Sequence, residues 1–132
     1  MGLLGNLLPM SPRTVLIVED DPVILRLLEV NFELEGLEVL LAEDGAAGLE
    51  LAKERRPDLV VTDIMMPKLS GIELVESLKT DPLTAHIPII LLSAKAQTAD
   101  LKAGMDAGAD DYITKPFEPL DLLDRANSLL SR

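Results

Sequence analysis

Short apolar runs that alternate five times with segments of helical period constrain this chain more than any other feature. TVLIV at 14–18, LEVLLA at 37–42, DLVVTD at 58–63, IPIILLS at 87–93 and the shorter DYIT at 111–114 read as strands. After the first, Pro22 suits the opening turn of a helix, where its missing N–H costs nothing. Ile24, Leu27, Leu28 and Phe32 then recur at helical spacing as far as the stop at Gly36. Asp44 is a good N-cap for a helix that runs to the Arg55-Arg56-Pro57 break. Ile72, Leu74, Val75 and Leu78 mark a third helix closed by Pro82, a fourth spans about 97–107, and Leu122, Leu123, Ala126, Leu129 and Leu130 line one side of a fifth. Strands that are apolar throughout, rather than at alternate positions, are buried on both faces. The pattern therefore predicts an α/β chain: one doubly wound domain with a parallel sheet between two helix layers. In such a sheet crossovers are right-handed and ligands bind outside the carboxyl ends of the strands.

Composition narrows the function. The 132 residues suit a single domain, with no repeat or low-complexity stretch. A net charge of −11 argues against direct contact with nucleic acid or anionic membranes, which bind through Lys and Arg. With no cysteine there is no disulfide scaffold and no thiolate chemistry, which suits a cytoplasmic protein. Phe32, Tyr112 and Phe117 are too few rings for a base-stacking platform. No run approaches the ~18 apolar residues of a membrane span. The opening MGLLGNLLPM lacks a basic region and is broken by Pro9 and Pro12, so it does not read as a secretory signal. Residues 1–12 read as an N-terminal extension or an expression remnant, and 13–132 as the domain. No output segment follows the fifth helix, so the chain is expected to act by docking on a partner or as a piece of a longer protein.

The carboxyl ends of the strands carry the chemistry. Strand one ends in Glu19 and Asp20, strand three in Asp63, strand four in Ser93, and strand five is followed by Lys115. A doubly wound sheet brings these ends to one rim. Carboxylates ~4 Å apart repel by roughly 4 kcal/mol per pair at an effective dielectric near 20, which calls for a cation. Mg2+ fits, since it takes one or two carboxylates and keeps several waters. A carboxylate nucleophile, a metal, an ammonium and a hydroxyl together suit acyl-phosphate formation. Singly, each residue has a plainer role: acids before Pro22 can cap a helix, Asp63 can be a turn residue, Ser93 a strand-end hydroxyl and Lys115 a solvated charge. Their coincidence at successive strand ends is what points to a site.

VLIVEDDP at 15–22, VTDIMMPKLSG at 61–71, PIILLSA at 88–94 and GADDYITKPF at 108–117 resemble the receiver domain of bacterial two-component response regulators. The resemblance covers about Thr14 to Leu130 and implies a flavodoxin-like (βα)5 fold with strand order 2-1-3-4-5. It implies that Asp63 is the phosphoacceptor, taking a phosphoryl group from the phosphohistidine of a sensor histidine kinase or phosphotransfer protein. Asp20, Asp63 and the Met65 backbone carbonyl would hold Mg2+, Glu19 would act through a metal-bound water, and Asp21 would cap the helix. Lys115, before a cis peptide bond to Pro116, and Ser93 would bind the phosphoryl group. Ser93 and Tyr112 would relay its arrival to the face made by helix four, strand five and helix five, a possible homodimer surface. Met65 and Lys95 stand where the family tunes phosphoryl lifetime. His86, at the opposite rim, is expected to be a surface residue. Gly48 inside helix two is expected to loosen that helix or let it approach the sheet closely.

Two other classes compete. Haloacid-dehalogenase-type phosphatases also use an Asp nucleophile and Mg2+, but they resemble Asp-x-Asp, and the second position here is Met65; no phosphate-cradling GxxxxGK[ST] appears either. The chain is thus expected to be a signalling switch rather than a turnover enzyme. A receiver-like interaction module that takes no phosphate is the other alternative, although such modules lose an acid or the Lys and the full set is present.

Overall fold

A computed structural model describes residues 12–94 and 98–132. Strand and helix alternate as the periodicity predicts: β1 (Thr14–Val18), α1 (Pro22–Leu34), β2 (Glu38–Ala42), α2 (Gly45–Arg55), β3 (Leu59–Asp63), α3 (Gly71–Thr80), β4 (Ile89–Ala94), α4 (Thr98–Asp106), β5 (Asp111–Lys115) and α5 (Pro119–Leu130). The strands form one parallel sheet in the order β2-β1-β3-β4-β5. Of the expected extension, residues 1–11 lie outside the described residues. No helix among the described residues is long and apolar enough to cross a membrane.

Successive strand residues serve opposite layers, because side chains alternate across a sheet. Val15, Ile17, Val61, Ile90 and Leu92 meet Leu25, Leu28 and Phe32 of α1 and Leu122, Leu123 and Ala126 of α5. Leu16, Val18, Val60 and Leu91 meet Ala52 of α2 and Leu74, Val75 and Leu78 of α3. The central strands β1, β3 and β4 are buried almost throughout, whereas β2 and β5 are only partly covered. They are the sheet edges, each with one strand neighbour, so the expectation of continuous burial fails there. The helical spacing also counts Leu27 with the inner face of α1, yet it is 43% exposed: the buried row is Leu25, Leu28 and Phe32, and Leu27 falls on the outer side.

Side chains cap the starts of α1, α2 and α3, the first two with the acids expected there. The Asp21 side chain accepts from the Val23 and Ile24 amides, Asp44 accepts from the Ala47 amide, and Ser70 and Glu73 form a reciprocal capping box on α3. α3 ends at Thr80 with Asp81 as its cap, just before Pro82. Gly48 packs directly on the sheet, since a Cβ there would lie 2.8 Å from Val18 Cγ2. Close approach is therefore the use of this glycine.

Candidate functional site

The sheet brings the carboxyl ends of β1 and β3 side by side, with Val18 paired to Thr62. Glu19, Asp20 and Asp63 each offer a carboxylate oxygen, and these oxygens all lie within 4.8 Å of one another. Asp20 is exposed, Asp63 is buried and Glu19 has no solvent exposure. Lys115 reaches in from the end of β5, donating from Nζ to Glu19 Oε1 at 2.7 Å and to Asp63 Oδ2 at 3.2 Å. The Lys115–Pro116 peptide bond is cis, as the resemblance implies.

Backbone amides finish the orientation of both buried acids. Ile64 N–H donates to Asp63 Oδ1 at 2.8 Å, and Asp21 N–H donates to Glu19 Oε2 at 3.1 Å. The β3–α3 loop is drawn tight behind Asp63: Gly71 N–H donates to the Ile64 carbonyl at 2.7 Å, and a Cβ on Gly71 would fall 2.1 Å from the Asp63 carbonyl oxygen. Only glycine permits that approach. Gly71 ends the motif at 61–71, but nothing local in the sequence shows why glycine is needed there, and amide donors carry no side-chain signature at all.

The electrostatics follow from this packing. Burial pushes the Glu19 carboxyl above its ordinary range, with the Asp63 charge adding to the rise, while the bonds from Lys115 and the Asp21 amide pull the other way. Burial opposes the charge on Lys115, but Glu19 and Asp63 outweigh it and hold the ammonium above the usual lysine range. Carboxylates 4.8 Å apart still repel by about 3.5 kcal/mol per pair at an effective dielectric of 20. One ammonium shared by two acids leaves the exposed Asp20 edge negative, so the donor set fits a hard divalent cation.

The other expected residues are placed as follows. Ser93 is buried on β4, one position beyond the Leu92–Asp63 pairing, and its hydroxyl donates to the Ala94 carbonyl at 3.0 Å. Met65 stands at the mouth with an exposed side chain. Tyr112 lies on the β5 edge, 42% exposed, in a cleft shared with Phe117, Glu118, Asp121 and Arg125. It is not brought into contact with Asp63 or Lys115 by any hydrogen bond of its side chain among the described residues. Lys95 lies outside the described residues. His86 is exposed and lines a cavity with Arg13, Asp58 and Asp110, near the strand starts, as expected of a residue at the rim away from the acids.

A match to the response regulator receiver domain model extends over residues 15–127. The chain belongs to this family. It is 43% identical over 118 residues to the DNA-binding dual master transcriptional regulator RpaA of Synechocystis, covering 89% of this chain and 49% of that protein. It is 44% identical over 123 residues to the phosphate regulon transcriptional regulatory protein PhoB of Pseudomonas aeruginosa, covering 93% of this chain and 54% of that one. This receiver thus spans about half the length of these curated relatives. Among solved structures, a response regulator from Chloroflexus aurantiacus superimposes with a TM-score of 0.87 at 36% identity, over 92% of this chain and all of that one. The receiver domain of the Pseudomonas aeruginosa sensor histidine kinase PA1611, with a magnesium ion coordinated in its active-site cleft, gives 0.85 at 28% identity, over 92% and 100%. The expectation of no nucleic-acid contact is not borne out, because relatives include a DNA-binding regulator. The charge of the matched half of such a protein does not report on the surface of the other half.

Proposed function

We propose that this receiver is a phosphorylation-activated signalling switch in which Asp63 accepts a phosphoryl group from a histidine kinase or phosphotransfer protein. The observation that carries the reading is the bridging of Asp63 and the buried Glu19 by Lys115, with Asp20 open to solvent beside them. A carboxylate oriented by the Ile64 amide forms a P–O bond to the phosphorus as the P–N bond of the phosphohistidine breaks and the imidazole leaves with the electron pair. Asp20, Asp63 and the Met65 carbonyl would hold Mg2+, with Glu19 acting through a bound water, and the ion when bound would supply charge neutralisation for the phosphoryl oxygens. Lys115 exchanges its bond to Asp63 for one to a phosphoryl oxygen, and the Ser93 hydroxyl leaves the Ala94 carbonyl for another. Phosphorylation adds about 1.5 to 2 negative charges. Tyr112 then turns inward from the β5 edge, and the face of α4, β5 and α5 is reshaped for a partner or a second copy. The chain performs its own phosphoryl transfer and slow dephosphorylation without being a turnover enzyme, works in the cytoplasm, and comprises a receiver over 13–132, with residues 1–12 an N-terminal extension or an expression remnant.

The test is incubation with Mg2+ and a small phosphodonor, read by intact mass. One phosphoryl group is expected on the wild type and none on Asp63→Asn, and equal labelling of both overturns the assignment. Ser93→Ala and Tyr112→Ala should still be labelled but lose the conformational change, so a wild-type spectroscopic shift in either contradicts the relay.

A further inference from the structure

We infer that the first turn of α2, at Asp44 and Gly45, is a positioning element for the site: it buttresses the β3–α3 loop and so fixes where the Met65 carbonyl meets a divalent cation. This rests on the reading of Asp20, Asp63 and Met65 as the holders of Mg2+, and adds a support from an element that carries none of them. The loop runs from Ile64 to Ser70, between the end of β3 and the start of α3. Its base is closed by the bond from Gly71 N–H to the Ile64 carbonyl at 2.7 Å. There Gly71 lies against the Asp63 backbone, so the base cannot yield.

The far side of the loop rests on α2. An ideal Cβ on the buried Gly45 would fall 1.8 Å from the Leu69 carbonyl oxygen and 2.6 Å from its carbon. Backbone therefore meets backbone, an approach that any side chain would block. One residue earlier, Lys68 holds a left-handed backbone with φ 70°, and across it the Leu69 N–H donates to the Pro67 carbonyl at 2.8 Å. Such a conformation is costly for a residue with a Cβ and persists only where its surroundings hold it. The surroundings here are again α2: Lys68 Nζ lies 3.6 Å from Asp44 Oδ2, while Asp44 Oδ1 accepts from the Ala47 amide. That ion pair is exposed and contributes little by itself, so the contact at Gly45 is the stronger constraint. Met66 is held as well, its sulfur accepting from the Thr62 hydroxyl at 4.0 Å. The compliant part of the loop is its exposed rim, Met65, Pro67 and Lys68. A push at Leu69 is thus taken up by the segment that carries the Met65 carbonyl. Mg2+ demands near-ideal octahedral geometry with ligands at about 2.0–2.1 Å, so a displaced carbonyl is lost to it.

Titration calorimetry with Mg2+ tests the buttress, with urea unfolding of each variant alongside. Gly45→Ala should bind Mg2+ at least tenfold more weakly than the wild type. Ala52→Gly, in the core further along the same helix, should loosen α2 yet bind within twofold of the wild type. Binding by Gly45→Ala within twofold of the wild type, or an equal loss in both variants, would overturn the proposal. If Gly45→Ala does not unfold cooperatively, Lys68→Gly decides. It lets the left-handed turn relax and removes the tie to Asp44, so it should bind Mg2+ several-fold more weakly with no fall in its urea midpoint. Unchanged binding, or weaker binding matched by a lower midpoint, would overturn the proposal. Failure of the metal reading itself looks different: the wild type would bind no Mg2+, or Asp20→Asn would bind it equally well, and the buttress would fall with it.

Discussion

Lys115 is the residue on which the buried acids depend. Its ammonium sits 2.7 Å from a Glu19 carboxylate that has no access to water. Lys115→Met leaves that charge unpaired and should cost about 3 kcal/mol in thermal or urea unfolding at neutral pH. The sign of the pH dependence follows from Glu19. Its folded-state value is raised above the unfolded one, so its contribution to stability is fully present below its ordinary value near 4.5 and is lost as pH rises through the raised value. The deficit of Lys115→Met should therefore shrink as pH falls and Glu19 takes up a proton. In the wild type, the raised Lys115 value contributes stability that is full below its ordinary 10.5 and fades as pH rises past the raised value. A deficit that grows toward acid would contradict the pairing. The Glu19–Lys115 bond itself was not visible in the sequence, where the two stand 96 positions apart. Placement at strand ends put both on one rim, but which acid is buried and which is open depends on the third dimension. The capping role of Asp21 was legible, because a cap is a local arrangement between an acid and the two or three amides that follow it.

At the level of elements, two glycines separate site geometry from helix packing. Gly71→Ala drives a methyl into the Asp63 carbonyl, so backbone must move; we expect about 2–3 kcal/mol of destabilisation and slower phosphoryl uptake. Gly48→Ala meets the two methyls of the buried, β-branched Val18 at 2.8 and 3.0 Å, which offsets the ~1 kcal/mol gain in helix propensity, but no backbone blocks it, so it should cost less than Gly71→Ala. Denaturant unfolding and labelling rates of the pair check this. The strand and helix pattern was legible because the central strands are buried on both faces. It misplaced Leu27 and overstated the burial of β2 and β5, since hydrophobic spacing does not tell which apolar residues a helix turns outward or which strands form the edges.

For the whole molecule, the net charge is −11, and among the described residues Glu19, Asp20 and Asp63 are the one group of acids close enough together to share a metal ion. Magnesium at about 100 times its Kd should add roughly 2.7 kcal/mol, or about 10 °C in Tm. The gain should be much smaller in Asp20→Asn, and an equal gain would place the ion elsewhere. Sedimentation with and without a phosphoryl mimic should show whether the face of α4, β5 and α5 assembles two copies on activation. The central claim is that Asp63 itself carries the phosphoryl group. Reductive trapping tests it most directly: the Mg2+-loaded protein is phosphorylated by a small phosphodonor, treated with borohydride, digested and sequenced by mass spectrometry. Conversion to homoserine is expected at position 63 alone and only with Mg2+; modification at Asp20, Glu19 or Ser93 in its place, or none, would contradict the assignment of Asp63.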